Sequence, residues 1–170
     1  MTPTAYVETI VIPTLREAMA ARDDRRPNYL ACIVIFHVLD YIAAARGERV
    51  GPVRGAVERM GPAVYEVARG ICNGTKHAGN QSGNYRHVPG GELEVPEWVF
   101  DVDGAGWDEG RIDHPGLAVT FEGQDYFLDH VAQLLLLRIC RRYPDELGAV
   151  DLSFLDPGIS AHEQLPERSA

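Results

Sequence analysis

The stretch YLACIVIFHVLDYIAAAR, residues Tyr29–Arg46, is the most apolar part of the chain and decides its fold. Pro27 stands just before it, where a proline suits the start of a helix, and Gly47 follows it, where a glycine suits a helix C-cap. β-branched residues lower its helix propensity, but its length favours a helix over a strand. Its uncharged part stops at Asp40, short of the roughly 20 apolar residues that span a bilayer. We therefore expect the central, buried helix of a soluble bundle.

Three further regions have the apolar periodicity of helices that pack around this one. Thr4–Arg22 predicts a first helix, which Pro13 should kink or split because proline lacks a backbone donor. Val53–Met60 and Pro62–Cys72 predict either two short helices or one bent helix. Phe127–Arg142 predicts the last helix. Together these regions indicate a mainly α protein built as a four-helix bundle.

The apolar period changes from that of a helix to that of a strand near Glu92. Residues 92–95, 98–102 and 117–121 alternate in the manner of short strands, with glycine-containing turns between them. We expect a small antiparallel β hairpin or sheet, inserted at about 92–122 before the last helix. Residues 1–156 are interpreted as a single helical domain, and 157–170 as a flexible C-terminal tail.

The net charge of −9 argues against general electrostatic binding to nucleic acid or to an anionic membrane. The charge is unevenly distributed. Residues 1–91 carry 11 basic and 8 acidic side chains, whereas residues 92–170 carry 5 and 17. A polyanion could therefore meet the N-terminal half, although a solvated acidic surface that keeps the protein soluble is the plainer interpretation.

The three cysteines, Cys32, Cys72 and Cys140, each lie among apolar residues in helical patterns. Their odd number, the lack of CxxC spacing and an N-terminus without a signal-peptide pattern argue against disulfides and a zinc site. They predict buried, reduced thiols in a cytoplasmic protein. The turn at 101–106 has some calcium ligands, but Ile112 occupies the position of the bidentate glutamate, which argues against a calcium site. We expect neither a metal nor a cofactor.

The segment VYEVARGICNGTKHA, at 64–78, contains the most compact polar set in the chain. Arg69, Asn73 and His77 recur every four residues and would form one stripe on a helix, with the only lysine, Lys76, beside it. A histidine next to a cation suits metal-independent phosphodiester chemistry, with His77 as general acid/base, Arg69 as oxyanion stabiliser and Asn73 as positioning group. The alternative is a solvated helix face with a capping asparagine. If Gly74 were the C-cap, His77 would leave the stripe.

Two other groups of polar residues are candidates for ligand binding. His37 and Asp40 lie at i and i+3 on the central helix and could orient each other or reach His77. Such pairs bind metals in some bundles, but the sequence has no second pair, so a hydrogen-bonded core histidine is the preferred interpretation. Tyr85 and His87, in the polar, glycine-rich region at 77–91, could stack on a base.

The sequence Asn73-Gly-Thr-Lys-His77, at the end of a predicted bundle helix, resembles the motif of the HEPN superfamily. The resemblance implies a small helical bundle, often dimeric, and in many members a metal-independent ribonuclease. That motif is an arginine, often followed by a polar residue such as asparagine, and then a histidine after four to six intervening residues. Asn73 and His77 match it, whereas Cys72 occupies the arginine position and Arg69 leaves seven intervening residues. The chain also resembles bacterial or phage proteins of unassigned function that share a helix ending in N-x-x-K-H.

Two hypotheses follow from the sequence. In the first, the chain is a HEPN-like protein that acts on RNA or binds a nucleotide, and a homodimer would bring two stripes together. In the second, it is a non-catalytic helical interaction module or regulatory partner subunit, in which the stripe only caps and solvates a helix. Neither hypothesis requires a membrane.

Overall fold

The computed structural model of the chain describes residues 1–76 and 116–162. These residues form a mainly α fold with one small antiparallel sheet, as predicted. The elements in chain order are α1 (Pro3–Tyr6), a π-helical segment (Val7–Val11), α2 (Ile12–Ala20), α3 (Arg25–Arg46), α4 (Val50–Glu58), α5 (Pro62–Lys76), β1 (Ala118–Phe121), β2 (Gln124–Phe127), α6 (Leu128–Arg142), α7 (Pro144–Leu147) and α8 (Pro157–His162).

Helix α3 is the centre of the bundle. Asp24 caps its N-terminus by accepting a hydrogen bond from the Arg26 amide (2.9 Å), and Gly47 ends it in the left-handed conformation with φ of 65°. The helix packs against α2, α5 and α6, and its inward side chains Ile35, Leu39 and Ile42 have no exposed surface. Among the described residues it is the one helix long and apolar enough to cross a membrane, a test that the core helix of a soluble protein also passes.

Pro13 does not split the first helix in two, which was one of the two predicted outcomes. The preceding turn, Val7–Val11, widens to a π-helix, in which the Ile12 amide donates to the Val7 carbonyl five residues earlier. A proline ring normally clashes with the carbonyl four residues before it, here that of Thr9. Because the π turn moves the backbone bonds by one residue, the helix continues past Pro13 without a break.

The chain after α3 forms two helices, α4 and α5, rather than one bent helix. They meet at Gly61, whose carbonyl accepts a hydrogen bond from Nη1 of the buried Arg138 on α6 (3.5 Å). A Cβ atom built on Gly61 would lie 1.5 Å from that nitrogen, so any other residue here would displace the guanidinium from its present position. The corner is therefore fixed by a contact with a distant helix.

The predicted strand at 117–121 is confirmed as β1, and it pairs with β2 from Ala118–Phe127 to Phe121–Gln124. The last helix begins at Leu128, one residue later than predicted, because β2 occupies the residues before it. Glu122 and Gly123 both have positive φ, which is the two-residue turn that suits a twisted hairpin. The strands predicted at 92–95 and 98–102 lie outside the described residues.

The first part of the predicted tail, Pro157–His162, forms α8 instead, and Ile159 is buried in the core. The helix packs against α6, and the segment before it is held by a hydrogen bond from the Asp156 amide to Gln133 Oε1 (2.8 Å). Residues 163–170 lie outside the described part of the chain.

A polar cluster joins the turn after α2 to the start of α6. The Arg22 guanidinium donates to Asp129 Oδ2 from Nε (2.8 Å) and approaches His130 Nε2 (2.6 Å). Asp129 is 1% exposed. Beside it, the amide nitrogen of the fully buried Asn28 donates to the carbonyls of Ala21, Arg22 and Asp24, and so holds the turn between α2 and α3.

The three cysteines are free and buried, as predicted. Burial raises the pKa of the Cys32 thiol from its ordinary value of 9.0 to about 12, and the nearby Asp129 carboxylate and Cys72 contribute in the same direction. Burial alone raises the pKa of the Cys140 thiol to about 12.

We expect these thiols to make the fold sensitive to alkaline pH. Above pH 9 the unfolded thiols lose their protons while the folded ones keep them, so stability is intact below pH 9 and falls as the pH rises towards 12. Each thiol contributes at most about 1.4 kcal/mol per pH unit to this fall. Urea unfolding from pH 8 to pH 10.5 measures the slope, which Cys32→Ala should make shallower. Equal slopes in the variant and the wild type would contradict this account.

Candidate functional site

Helix α5 carries the predicted stripe and runs unbroken to Lys76. Gly74 therefore lies within the helix and is not its C-cap, even though a glycine inside a helix costs about 1 kcal/mol relative to alanine. Arg69 and Asn73 are both half-buried and lie one turn apart, as the spacing predicted. Lys76 is the last residue of the helix. His77, Tyr85 and His87 lie outside the described residues, so their proposed roles stay predictions.

Arg69 forms an ion pair with Glu66, one turn before it on the same helix, at 2.6 Å from Nη2 to Oε2. Its guanidinium also lies close to Tyr65, where it opposes the effect of burial on the phenol. Burial still raises the pKa of Tyr65 to about 12, although the nearby Arg54 and Arg69 lower it. Two guanidiniums, one from α4 and one from α5, therefore lie near one buried tyrosine.

His37 and Asp40 orient each other across one turn of α3, as predicted. Nδ1 of His37 lies 2.6 Å from Asp40 Oδ2, and Asp40 Oδ1 accepts a hydrogen bond from Arg54 Nη2 at 2.7 Å. A carboxylate only accepts hydrogen bonds, so it places the proton of a neutral imidazole on Nδ1 and leaves Nε2 as an acceptor. The chain of contacts therefore fixes both the orientation of His37 and its tautomer.

The other ring nitrogen of His37 faces α5. Nε2 lies 3.8 Å from the sulfur of Cys72, a residue that is 1% exposed. The side chain of His37 is about a third exposed, so the imidazole contacts both solvent and the buried thiol. The thiol of Cys72 on α5 therefore contacts the imidazole of His37 on α3, which in turn contacts the carboxylate of Asp40.

Aromatic side chains support this arrangement from both sides. The Arg54 guanidinium stacks over the Phe36 ring at 4.8 Å, and Phe36 in turn contacts Tyr65. Tyr6 stacks on Tyr41 at 4.0 Å and donates to the Val34 carbonyl. Burial raises the pKa of Tyr6 to about 12, with smaller contributions from Tyr41, Asp40 and Cys72.

The residues Cys72, His37, Asp40 and Arg54 form one cluster. Two of them, Arg54 and Cys72, were not predicted as site residues. Cys72 carried a signal, because it occupies the arginine position of the motif that Asn73 and His77 match. Arg54 carried none, since its contact with Asp40 depends on how α4 packs against α3. His37 and Asp40 are therefore brought together as predicted, and α4 adds the cation.

The cations of the cluster are balanced by carboxylates. Arg54 pairs with Asp40 and Arg69 pairs with Glu66.

Within residues 1–76 and 116–162, no group of three or more histidine, cysteine, aspartate or glutamate side chains could hold a metal ion. No protein-family model, no curated protein and no solved structure matches this chain.

Proposed function

We propose that this chain acts on RNA or binds a nucleotide, as a metal-independent ribonuclease whose general acid/base is His77. The observation that carries the proposal is that α5 continues through Gly74 to Lys76. A helix that ended at Gly74 would have removed the next stripe position from the face of Arg69 and Asn73. The unbroken helix therefore supports the four-residue repeat on which the proposal depends.

The roles divide along α5. The Arg69 guanidinium would bind a phosphate and stabilise the charge that develops on it, and Asn73 would position the phosphate. His77 would transfer the proton, and Lys76, Tyr85 and His87 would add contacts to phosphate or base. From α3, His37 and Asp40 would support the stripe through Cys72, which Nε2 of His37 contacts.

In this proposal the protein is cytoplasmic, needs no cofactor and works away from a membrane. Two copies would pair to bring two α5 stripes together. The RNA would meet the mildly basic N-terminal half, which contains α5, and the acidic C-terminal half would face away.

Arg69→Gln is expected to weaken binding of single-stranded RNA about tenfold, because one charge-assisted phosphate contact is lost. The binding should weaken with salt in the wild type, and the salt slope should fall by about one in the variant. Fluorescence anisotropy of a labelled RNA at several salt concentrations measures both. Arg59→Gln is the matched control, since Arg59 is an exposed arginine at the end of α4.

A second candidate function is that of a non-catalytic interaction module or regulatory partner subunit. The observation in its favour is that both guanidiniums near the stripe already have carboxylate partners. An RNA affinity that Arg69→Gln does not change, together with a stable protein complex that His77→Ala does not disturb, would favour this function over the first.

A further inference from the structure

The three buried thiols differ in what their sulfur atoms face. The sulfur of Cys32 lies 3.8 Å from the Leu128 carbonyl and near the Asp129 carboxylate, neither of which favours a thiolate. Cys140 is in an apolar environment on α6, where burial alone raises its pKa. Cys72 instead faces a histidine nitrogen. Among the described residues, this nitrogen is a base that could take the proton of Cys72.

The base is oriented for this transfer. Because Asp40 holds the proton of the imidazole on Nδ1, the lone pair of Nε2 points towards the Cys72 sulfur at 3.8 Å. Once His37 takes the proton, Asp40 faces the resulting imidazolium, which it stabilises, and Arg54 keeps the carboxylate in place. Neighbouring His⁺ is one of the environments that activates a cysteine. Tyr6, from α1, and Tyr41 are further titratable side chains in this neighbourhood.

Access is limited but local. Cys72 is 1% exposed, whereas the side chain of His37 in contact with it is 29% exposed. The thiol is therefore buried next to a side chain that is itself partly open to solvent. An uncharged reagent is favoured, since a charged one would have to give up its hydration to reach the buried thiol.

We propose that Cys72 is the reactive thiol of this chain and exchanges with small, uncharged disulfides, with His37 as the proton acceptor. The Cys72 thiol gives its proton to Nε2 of His37, and the thiolate attacks one sulfur of the disulfide. A new S–S bond forms between Cys72 and that sulfur while the disulfide's own S–S bond breaks. The released thiolate takes the proton back from His37, so the disulfide is the oxidant and no other reactant is needed. This proposal does not depend on the chain acting on RNA.

The test is the rate of modification of each cysteine in the full-length folded chain by dithiodipyridine, a small neutral disulfide. Samples are quenched with acid at short times, and the modified peptides are quantified by mass spectrometry. We expect Cys72 to react at least about tenfold faster than Cys32 and Cys140, and His37→Asn to slow Cys72 about tenfold, since general-base assistance is lost. His130→Asn changes a histidine of α6 that contacts Arg22, and it should leave the Cys72 rate unchanged.

Two results would overturn the proposal: a Cys72 rate no faster than those of Cys32 and Cys140, or equal Cys72 rates in the wild type and His37→Asn. Circular dichroism shows whether His37→Asn is folded. If it is not, Asp40→Asn takes its place, because it removes the charge that stabilises the imidazolium and leaves the imidazole itself present. A Cys72 rate in Asp40→Asn equal to that of the wild type would then overturn the proposal.

Discussion

Replacing Arg22 by methionine is expected to lower the free energy of unfolding by about 3–5 kcal/mol, because it leaves the buried carboxylate of Asp129 without its ion-pair partner. Asp129 is 1% exposed and receives Arg22 Nη2 and Nε on the same oxygen, Oδ2, at 2.6 and 2.8 Å. Its other oxygen, Oδ1, has no hydrogen-bond partner among the described residues. Without the guanidinium, the charge of Asp129 has lost its main compensation. Urea unfolding at pH 7, followed by circular dichroism, measures the loss.

A double variant separates this penalty from lost packing. Arg22→Met combined with Asp129→Asn removes both charges, so it should be more stable than Arg22→Met alone. Arg46→Met is the control, because Arg46 is itself more exposed and pairs with the exposed Glu48 as well as with the half-buried Glu146, and exposed pairs contribute little. If Arg22→Met lowered the free energy of unfolding no more than Arg46→Met does, the buried ion pair between Arg22 and Asp129 would not be a main contributor to stability.

The helices could be predicted from the sequence because their signals are local. The apolar run of α3 is bounded by a charged turn containing the capping Asp24 and by Gly47, and the helix ends where the glycine indicates. The π-helical turn before Pro13 could not be predicted, since a kink, a break and a widened turn all resolve the same clash. The proline marks a perturbation but does not choose among them.

The β hairpin was predicted only on one side. Strand β1 has alternating apolar residues, whereas Gln124–Phe127 is short, half-exposed and directly followed by α6, so Phe127 was assigned to the helix. The turn signal was also weak, because Glu122 stands where asparagine or aspartate usually precedes the glycine.

For the candidate site, the sequence predicted pairs within one helix and missed pairs between helices. His37 and Asp40 are three residues apart on α3, and that spacing alone predicts their contact. Arg54 and Cys72 reach the same histidine and carboxylate from α4 and α5. Likewise Arg22 and Asp129 are 107 residues apart, and only the packing of the bundle brings them together.

The largest functional effect is expected from His77→Ala. If His77 transfers the proton in RNA cleavage, its removal should lower the cleavage rate by about 100-fold or more, the usual contribution of a general acid/base. The reaction should proceed in EDTA, because the proposed chemistry uses Arg69 rather than a metal to stabilise the phosphate. His130→Ala, at the start of α6, is the matched histidine control and should cleave at the wild-type rate.

The most direct test of the proposed function is therefore cleavage of labelled single-stranded RNA in EDTA by the wild type and by His77→Ala. We predict cleavage by the wild type that disappears in His77→Ala and persists in His130→Ala. No cleavage by the wild type, or equal cleavage by the wild type and His77→Ala, would contradict the assignment of His77 as the general acid/base of a metal-independent ribonuclease.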